Sequence, residues 1–444
     1  MLWRLLSPVR SLAWAAGLVY CSILPTAAPA AEPAEPVPAA DAPAETVGIL
    51  AARDAGHLAL EVRGRGDQAV RLVLRNTSPR RLNVVLPPGL VAAAGTGQGF
   101  QNMGLGGLTD RPGAFGQFRL AAAPSPGFRA LPAADPHARD AVTVPAGQAV
   151  ELSVPAVCLD FGKPTPTPKD AFTLIDVDDF SADPRVRRAL RSLATLGTSQ
   201  GVAQAVMWHV CNGLGAERLA ALPAKRLNAP ELALASRFVA ALDSSGASEL
   251  VDPAYLTEAR IFVRVQGQGP LVKDARRLES ELDGRPLLGL PARVVVAAED
   301  PVAPAPALLL NVTLTSSRPG QTGGRVHVLA ASGTGGWVPL GSPALQAETA
   351  AADLDAPALA RAVDHAVASA FVLAKPLRRS VGSTTLRIEN RLPFTVARAV
   401  VRAGTGSKAA PVELPGLGVG PLRSAPVAIQ AATGTIDSIE LNGL

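Results

Sequence analysis

The stretch LATLGTSQGVAQAVMWHVCNG holds most of the residues in this chain whose types and spacing could do chemistry. Residues 197–201 spell G-T-S-Q-G, the G-x-S-x-G pattern of a hydrolase nucleophile elbow, with Ser199 in the nucleophile's place. An elbow exposes its serine because a strained strand-to-helix turn presents the hydroxyl. The residues before Ser199 spell a helix instead. DPRVRRALRSLATLG sets Asp183 at an N-cap, Pro184 at the first helical position, and Val186, Leu190 and Leu193 at helical spacing, with Gly197 where a C-cap belongs. The motif therefore reads as a turn between two helices. Ser199 becomes the N-cap of the second, its hydroxyl accepting from a backbone N–H near Val202. His209 lies along that same helix and does not reach back, and five histidines in 444 residues are a thin supply for a triad.

On this second helix Gln204, Trp208 and Cys211 stand at i, i+4 and i+7, which puts them on one face, while Val202, Val206 and Val210 line the adjacent, core-facing one. Trp208 reads as a core anchor with a bonded N–H, and Gln204 as its polar neighbour at the helix edge. His209 has no ligand residues at metal spacing nearby. The run DVDD at 176–179 lacks the glycine and distal glutamate of a calcium loop and is expected to solvate the helix entrance. No metal and no cofactor are expected.

The N-terminus sets the compartment. MLWRLLSPVR is a charged n-region, Ser11–Leu24 a short apolar run, and Ala28-Pro29-Ala30 an A-x-A site, the plan of a secretory signal peptide over residues 1–31. The apolar run is shorter than the roughly 18–20 residues that span a bilayer, so the mature chain is expected to carry no transmembrane segment and to reach the periplasm or the outside. Cleavage removes Cys21, Arg4 and Arg10, which lowers the formal charge from +5 to about +3. The remaining arginines lie scattered along the sequence without a stripe or an aromatic row, so a nucleic-acid partner is not expected. In an oxidising compartment Cys158 and Cys211 default to a disulfide, worth about 4 kcal/mol by loop closure.

The elements that position these residues divide the chain. Residues 32–45 form an Ala/Pro-rich tether. Residues 46–157 hold short alternating segments bounded by turn residues, the pattern of a β-sandwich, with a Gly-rich segment at 95–118 as a long loop between strands. Residues 158–245 change to helical period, and NAPELALASRFVAALDSSG gives a third helix capped by Asn228 with Pro230 in its first turn. Residues 256–375 read as an α+β domain with helices on one face of a sheet, closed by a helix capped at Asp355; His327 falls mid-strand and His365 mid-helix. Residues 384–444 form a C-terminal small β-sandwich module. The fold class expected is multidomain and mainly β with α. TTLRIENRLPFTVARAVVRAG repeats the plan of AVRLVLRNTSPRRLNVVLPPG: a strand ending in Asn76 or Asn390, Pro79 or Pro393 three residues on, and a second strand ending in Gly. The shared plan suggests two related modules at the ends, and is equally compatible with independent use of one hairpin geometry.

VPAVCLDFGKPTPTP followed by SQGVAQAVMWHVCNG resembles a group of secreted bacterial, planctomycete-type multidomain proteins of unassigned function, which place a C-L-x-x-G-K-P-x-P segment after a β domain and a Q-x-x-x-W helix after that. The resemblance covers mainly residues 60–215, with the C-terminal LRIENRLPF…IELNGL module beside it. More distantly the pair is similar to thioester domains of bacterial surface adhesins, where a Cys after a strand reacts with the Gln of a T-Q-x-A-I-W helix. That similarity implies Cys158 as the thiol, Gln204 as the amide and Trp208 at the matching position; Ala203 and Val206-Met207 depart from the pattern. The leading expectation is an exported, non-enzymatic protein with an interaction or scaffolding role at the envelope or outside the cell, its protein or surface partner unread. Covalent attachment through a Cys158–Gln204 thioester is the alternative that the resemblance implies. A hydrolase or metal enzyme assembled from distant residues is the third.

Overall fold

A computed structural model describes residues 44–442 apart from 96, 98, 107–140, 197, 247–249, 259, 297–299, 319–320, 349–354, 381–382, 404–409 and 430–433. The expected signal peptide, most of the tether, Gly197 and the larger part of the Gly-rich segment lie outside the described residues. The described chain is mostly β, with several sheets and a smaller share of helix. Among the described residues no helix is long and apolar enough to cross a membrane.

The N-terminal part runs β1 (Glu45–Gly48), α1 (Ile49–Asp54), β2 (Leu58–Gly64), β3 (Ala69–Asn76), β4 (Leu82–Val85), β5 (Leu90–Ala94), β6 (Met103–Leu105), β7 (Ala141–Val144), β8 (Ala149–Cys158) and β9 (Ala171–Asp176). Alternation does the patterning: Val70, Leu72 and Leu74 of β3 face Leu152 and Val154 of β8 in one core. The expected β-sandwich is here a closed barrel in the order β2-β3-β8-β6-β5-β9, beside a separate sheet β1-β4-β7 in which β1 runs parallel to β4. Closure comes from β5, β6 and β9, which fill the gap between β8 and β2. The last of these lies beyond Cys158, inside the block whose period reads as helical.

The helices are α2 (Val177–Phe180), α3 (Pro184–Leu196), α4 (Gln200–Asn212), α5 (Ala216–Ala220), α6 (Ala229–Ser244) and α7 (Pro253–Thr257). Their ends follow the sequence signals. Gly213 closes α4 in the left-handed region at φ +65°, where a side chain would be strained. Asn228 and Glu231 form a reciprocal capping box at the start of α6, with Pro230 in its first turn.

The next part comprises β10 (Ile261–Gly267), α8 (Leu271–Leu282), β11 (Pro286–Leu287), β12 (Leu290–Val294), β13 (Leu308–Arg318), β14 (Gln321–Ala331), β15 (Trp337–Gly341), β16 (Ala344–Glu348) and α9 (Ala356–Phe371), with Asp355 capping α9. The sheet order is β11-β12-β10-β13-β14-β15, with β16 also on β14; β12, β10 and β13 are parallel. α9 passes directly into β17 (Val372–Ser380), followed by β18 (Ser383–Asn390), β19 (Thr395–Ala403), β20 (Ala410–Val419), β21 (Ser424–Ile429) and β22 (Gly434–Asn442). These strands make two sheets, β17-β18-β21 and β20-β19-β22. One continuous apolar core joins Val263 and Leu310 through α8 and α9 to Ile388, Phe394 and Val401, so hydrophobic packing runs across the 375–384 boundary.

The two end modules share a topology. β2-β3-β8 with β4-β7 corresponds to β17-β18-β21 with β19-β20, all antiparallel. Register corresponds too: Leu58 faces Asn76 as Val372 faces Asn390. Asn76 and Asn390 are both buried. Each accepts the N–H two residues on (Ser78, 2.9 Å; Leu392, 2.9 Å) and donates to the carbonyl four residues on (Arg80, 2.7 Å; Phe394, 2.6 Å). Each also donates to the last carbonyl of a distant strand (Val144, 3.0 Å; Val419, 3.0 Å). A buried amide that satisfies three backbone groups at once explains why asparagine stands there.

Candidate functional site

Barrel and helices meet where β8 outruns its neighbour. β3 pairs with β8 only as far as Pro155, opposite Ala69, which leaves Ala156 and Cys158 with backbone groups facing α4. Two glutamines of α4 complete that edge. Gln200 Nε2 donates to the Ala156 carbonyl (2.7 Å). Gln204 closes both ends: the Cys158 N–H donates to Oε1 (2.9 Å), and Nε2 donates to the Cys158 carbonyl (2.8 Å). Residues two apart on a strand rise roughly 6.7 Å and residues four apart on a helix about 6 Å, so the two side chains match the two backbone positions. The glutamines act as a substitute strand, satisfying polar groups that would otherwise be buried unpaired.

The same alternation turns the Cys158 side chain the other way. It packs with Leu152, Val154 and Ala156 in the barrel core, while Val157 and Leu159 point among the helices. The thiol is 2 % exposed and donates weakly to the Asp67 carbonyl at 3.5 Å. Burial, and next the charge of Asp67, push it up to about 12, so it stays protonated at neutral pH. Cys211 packs against the helical core, and burial pushes its thiol up to about 12 as well. The disulfide expected between them is not formed: both cysteines are free, and their side chains belong to different cores. The Cys158–Gln204 pair does meet, through the main chain of Cys158, with the amide bonded at both its oxygen and its nitrogen.

Trp208 is buried and stacks edge-on against Phe161, with ring centroids 5.1 Å apart and planes at 83°; Arg218 lies 5.4 Å from the Phe161 ring. The expected hydrogen bond from its indole is missing among the described residues: Nε1 is buried in the apolar helical core with no partner there. Ser199 occupies the cap position, and its carbonyl accepts from the Ala203 N–H at 2.9 Å. Its hydroxyl makes no cap bond and is buried with no hydrogen-bond partner among the described residues, packed beside Gly420. A helix, α3, precedes it, as the sequence period requires. His209 Nδ1 bonds the Leu214 carbonyl (2.8 Å), and His327 and His365 are exposed.

The carboxylates of DVDD divide: Asp176 and Asp178 pair with arginines, while Asp179 is exposed to solvent. Asp176 caps α2, and Arg191 reaches Asp176 (2.8 Å) and Asp178 (2.7 Å), with Arg187 at 3.6 Å from Asp178. Hydrogen bonding from Arg191 holds the Asp178 carboxyl below the usual carboxylate range. Among the described residues no cluster of three metal-ligating side chains occurs.

Sequence reasoning missed a second clamp. Glu231 is 1 % exposed and receives Arg423 in two bonds, from Nε (2.9 Å) and Nη2 (2.6 Å). Around it the Arg423 Nη1 donates to the Lys225 carbonyl (2.8 Å) and Asn228 Nδ2 to the Pro421 carbonyl (2.8 Å). A Cβ on Gly201, the last residue of G-T-S-Q-G, would overlap the Glu231 carboxylate. The motif's final glycine is thus explained by close packing on an ion pair. The Asn228 cap was legible; Glu231 and its arginine partner, 192 positions away, were not. The chain matches no protein family and no curated protein.

Proposed function

We propose that this chain is an exported, non-enzymatic scaffold or interaction protein, directed to the periplasm or the outside by a signal peptide over residues 1–31. In this reading two related β modules hold a helical body and an α+β sheet in fixed relation, and their outer surfaces meet a protein or surface partner. One observation carries it: the polar side chains that looked chemical are engaged in fastening. Gln200 and Gln204 fasten α4 to the barrel, and Glu231 fastens α6 to the C-terminal module. The test is Gln204→Ala. It should lower stability by about 1–3 kcal/mol through two backbone groups left unpaired, with partner binding intact in the folded fraction. Complete loss of binding at unchanged stability would contradict the scaffold reading.

The thioester stands as a second reading because the Gln204 amide lies against the main chain of Cys158, although the thiol itself is turned into the barrel core and would have to swing round to reach it. Forming it would join Cys158 Sγ to the Gln204 carbonyl carbon, break the amide and release ammonia. A mass deficit of one ammonia in the intact mature protein, with methylamine adding back only while Cys158 is present, would support it; an undiminished mass excludes it.

A further inference from the structure

The register of β17 and β18 sets Lys375 opposite Arg387 and Arg378 opposite Thr385, with Arg379 one residue further along the edge. All four basic side chains are exposed, as is Arg391 just past β18. One carboxylate serves the group: Glu389 meets Lys375 at 2.8 Å and Arg391 at 3.5 Å. Arg387 donates to the Ser424 hydroxyl, and neither Arg378 nor Arg379 has an ion-pair partner among the described residues. Leu377 stands 56 % exposed in their midst, at the irregularity between Pro376 and Arg378.

Like charges opposite one another destabilise a sheet; the N-terminal module also sets Arg63 opposite Arg71, but there each arginine has its own carboxylate. By register, Glu61 stands where Lys375 stands. It pairs with Arg63 (2.9 Å), and Arg71 is held by Glu151 in two bonds of 2.7 Å. Guarding an edge strand accounts for part of the pattern, since a lysine, a proline and a bulge suffice to discourage edge pairing. It does not account for Arg387, which lies on β18, covered on both sides by β17 and β21. Nor does it account for an exposed leucine among arginines.

We propose that the β17–β18 hairpin docks on an anionic lipid bilayer, its cations at the headgroup phosphates and Leu377 at the acyl boundary. Charge complementarity selects an anionic partner. The leucine, with no aromatic residue between positions 372 and 391, selects lipid over a nucleic acid, which would use stacking platforms. The test is cosedimentation of the purified chain with phosphatidylcholine vesicles, with and without phosphatidylglycerol. The increment due to phosphatidylglycerol is read, so that any apolar binding common to both cancels. That increment should be present at low salt and fall as salt rises. The triple variant K375S/R378S/R379S should reduce it roughly 100-fold, and Leu377→Ser should weaken binding to the phosphatidylglycerol vesicles themselves about fivefold, with far-UV spectra and melting temperatures showing that both remain folded. Absence of any increment, or an unchanged increment in a folded triple variant, overturns the proposal. Tighter binding to a duplex oligonucleotide than to the anionic vesicles overturns it as well, in favour of a nucleic-acid partner.

Discussion

The two end modules repeat one arrangement and diverge at its margins. In both, a strand ending in a buried asparagine pairs with a strand that follows a short turn, and Gln148 or Arg423 is the last residue of that turn. Gln148 is exposed; Arg423 is driven into the helical body onto Glu231. The third strand beside β4 is the parallel β1, arriving from the N-terminal side, whereas the third strand beside β19 is the antiparallel β22 from the C-terminal side. The N-terminal module also runs β8 past its partner, where it closes a barrel and receives two glutamines; β21, as far as the described residues go, stays paired to β18 along its length. The repeated core sets the shape, and the unmatched ends and turns make the connections. Attachment is written where the repeat breaks.

The sharpest way to break this comparison is at the two turn positions. Arg423→Ala should cost about 3–5 kcal/mol, because it leaves the buried Glu231 carboxylate without its counter-charge. Gln148→Ala, at the position equivalent to Arg423, should stay within about 0.5 kcal/mol. Urea unfolding of both variants measures the contrast, and equal effects would mean that the turns are equivalent after all. Gly201→Ala should fall between them, about 1–3 kcal/mol, as the carboxylate and its partners shift to admit a methyl group.

A smaller difference is expected at the asparagines. Asn390 Nδ2 lies within bonding distance of three carbonyls, those of Phe394, Val419 and Gly420, and Asn76 Nδ2 of two. Asn390→Ala should therefore cost about 3 kcal/mol and Asn76→Ala about 2 kcal/mol. Asn76 Oδ1 also accepts from the Ser78 hydroxyl (2.8 Å), so the reverse order would show that this bond outweighs the third carbonyl held by Asn390.

The smallest effect concerns the helices that lead into each module, α1 and the longer α9. Asp364 on α9 accepts the Leu288 N–H at 2.6 Å, and burial raises its carboxyl above the ordinary 3.8. The folded state thus holds this proton more tightly than the unfolded one, so stability from Asp364 declines as pH rises past the ordinary carboxylate range. Asp364→Asn keeps an acceptor for Leu288 and should be more stable at pH 7 by about 1 kcal/mol or less, with the gain disappearing in acid. A gain independent of pH would assign it to something other than the carboxyl proton.

Local chemistry was legible in the sequence. Pro184, Gly213, Asn228 and Asp355 mark helix ends by the bonds their own backbones and side chains make within a few residues. The strands LALEVRG and AVRLVLRN came out residue for residue, because alternation is a local property. Pairing is not local. Barrel closure depends on β9 finding β2 across more than a hundred residues, and Arg378 and Arg387 become neighbours only once register is set. At the site, the spacing of Gln204 and Trp208 was read correctly as one face of a helix. The backbone of Cys158 as the amide's target was not readable, since a strand end shows no signature of lacking a neighbour. The Ser199 hydroxyl was misassigned for a related reason: its environment is supplied by Gly420.

Glu231 also bears on the order in which the chain becomes resistant to degradation. Its carboxylate is enclosed by residues 201 and 228 of its own segment, yet its counter-charge is Arg423, 192 positions further on. A chain cut before that arginine would lose both the counter-charge and the cover that Gly420 and Pro421 supply, so water would reach the carboxylate and the helical body should open more readily to a protease. Protection would come only with the finished C-terminal module. The ion pair thereby works as a completeness check, in which a late residue licenses the packing of an early one.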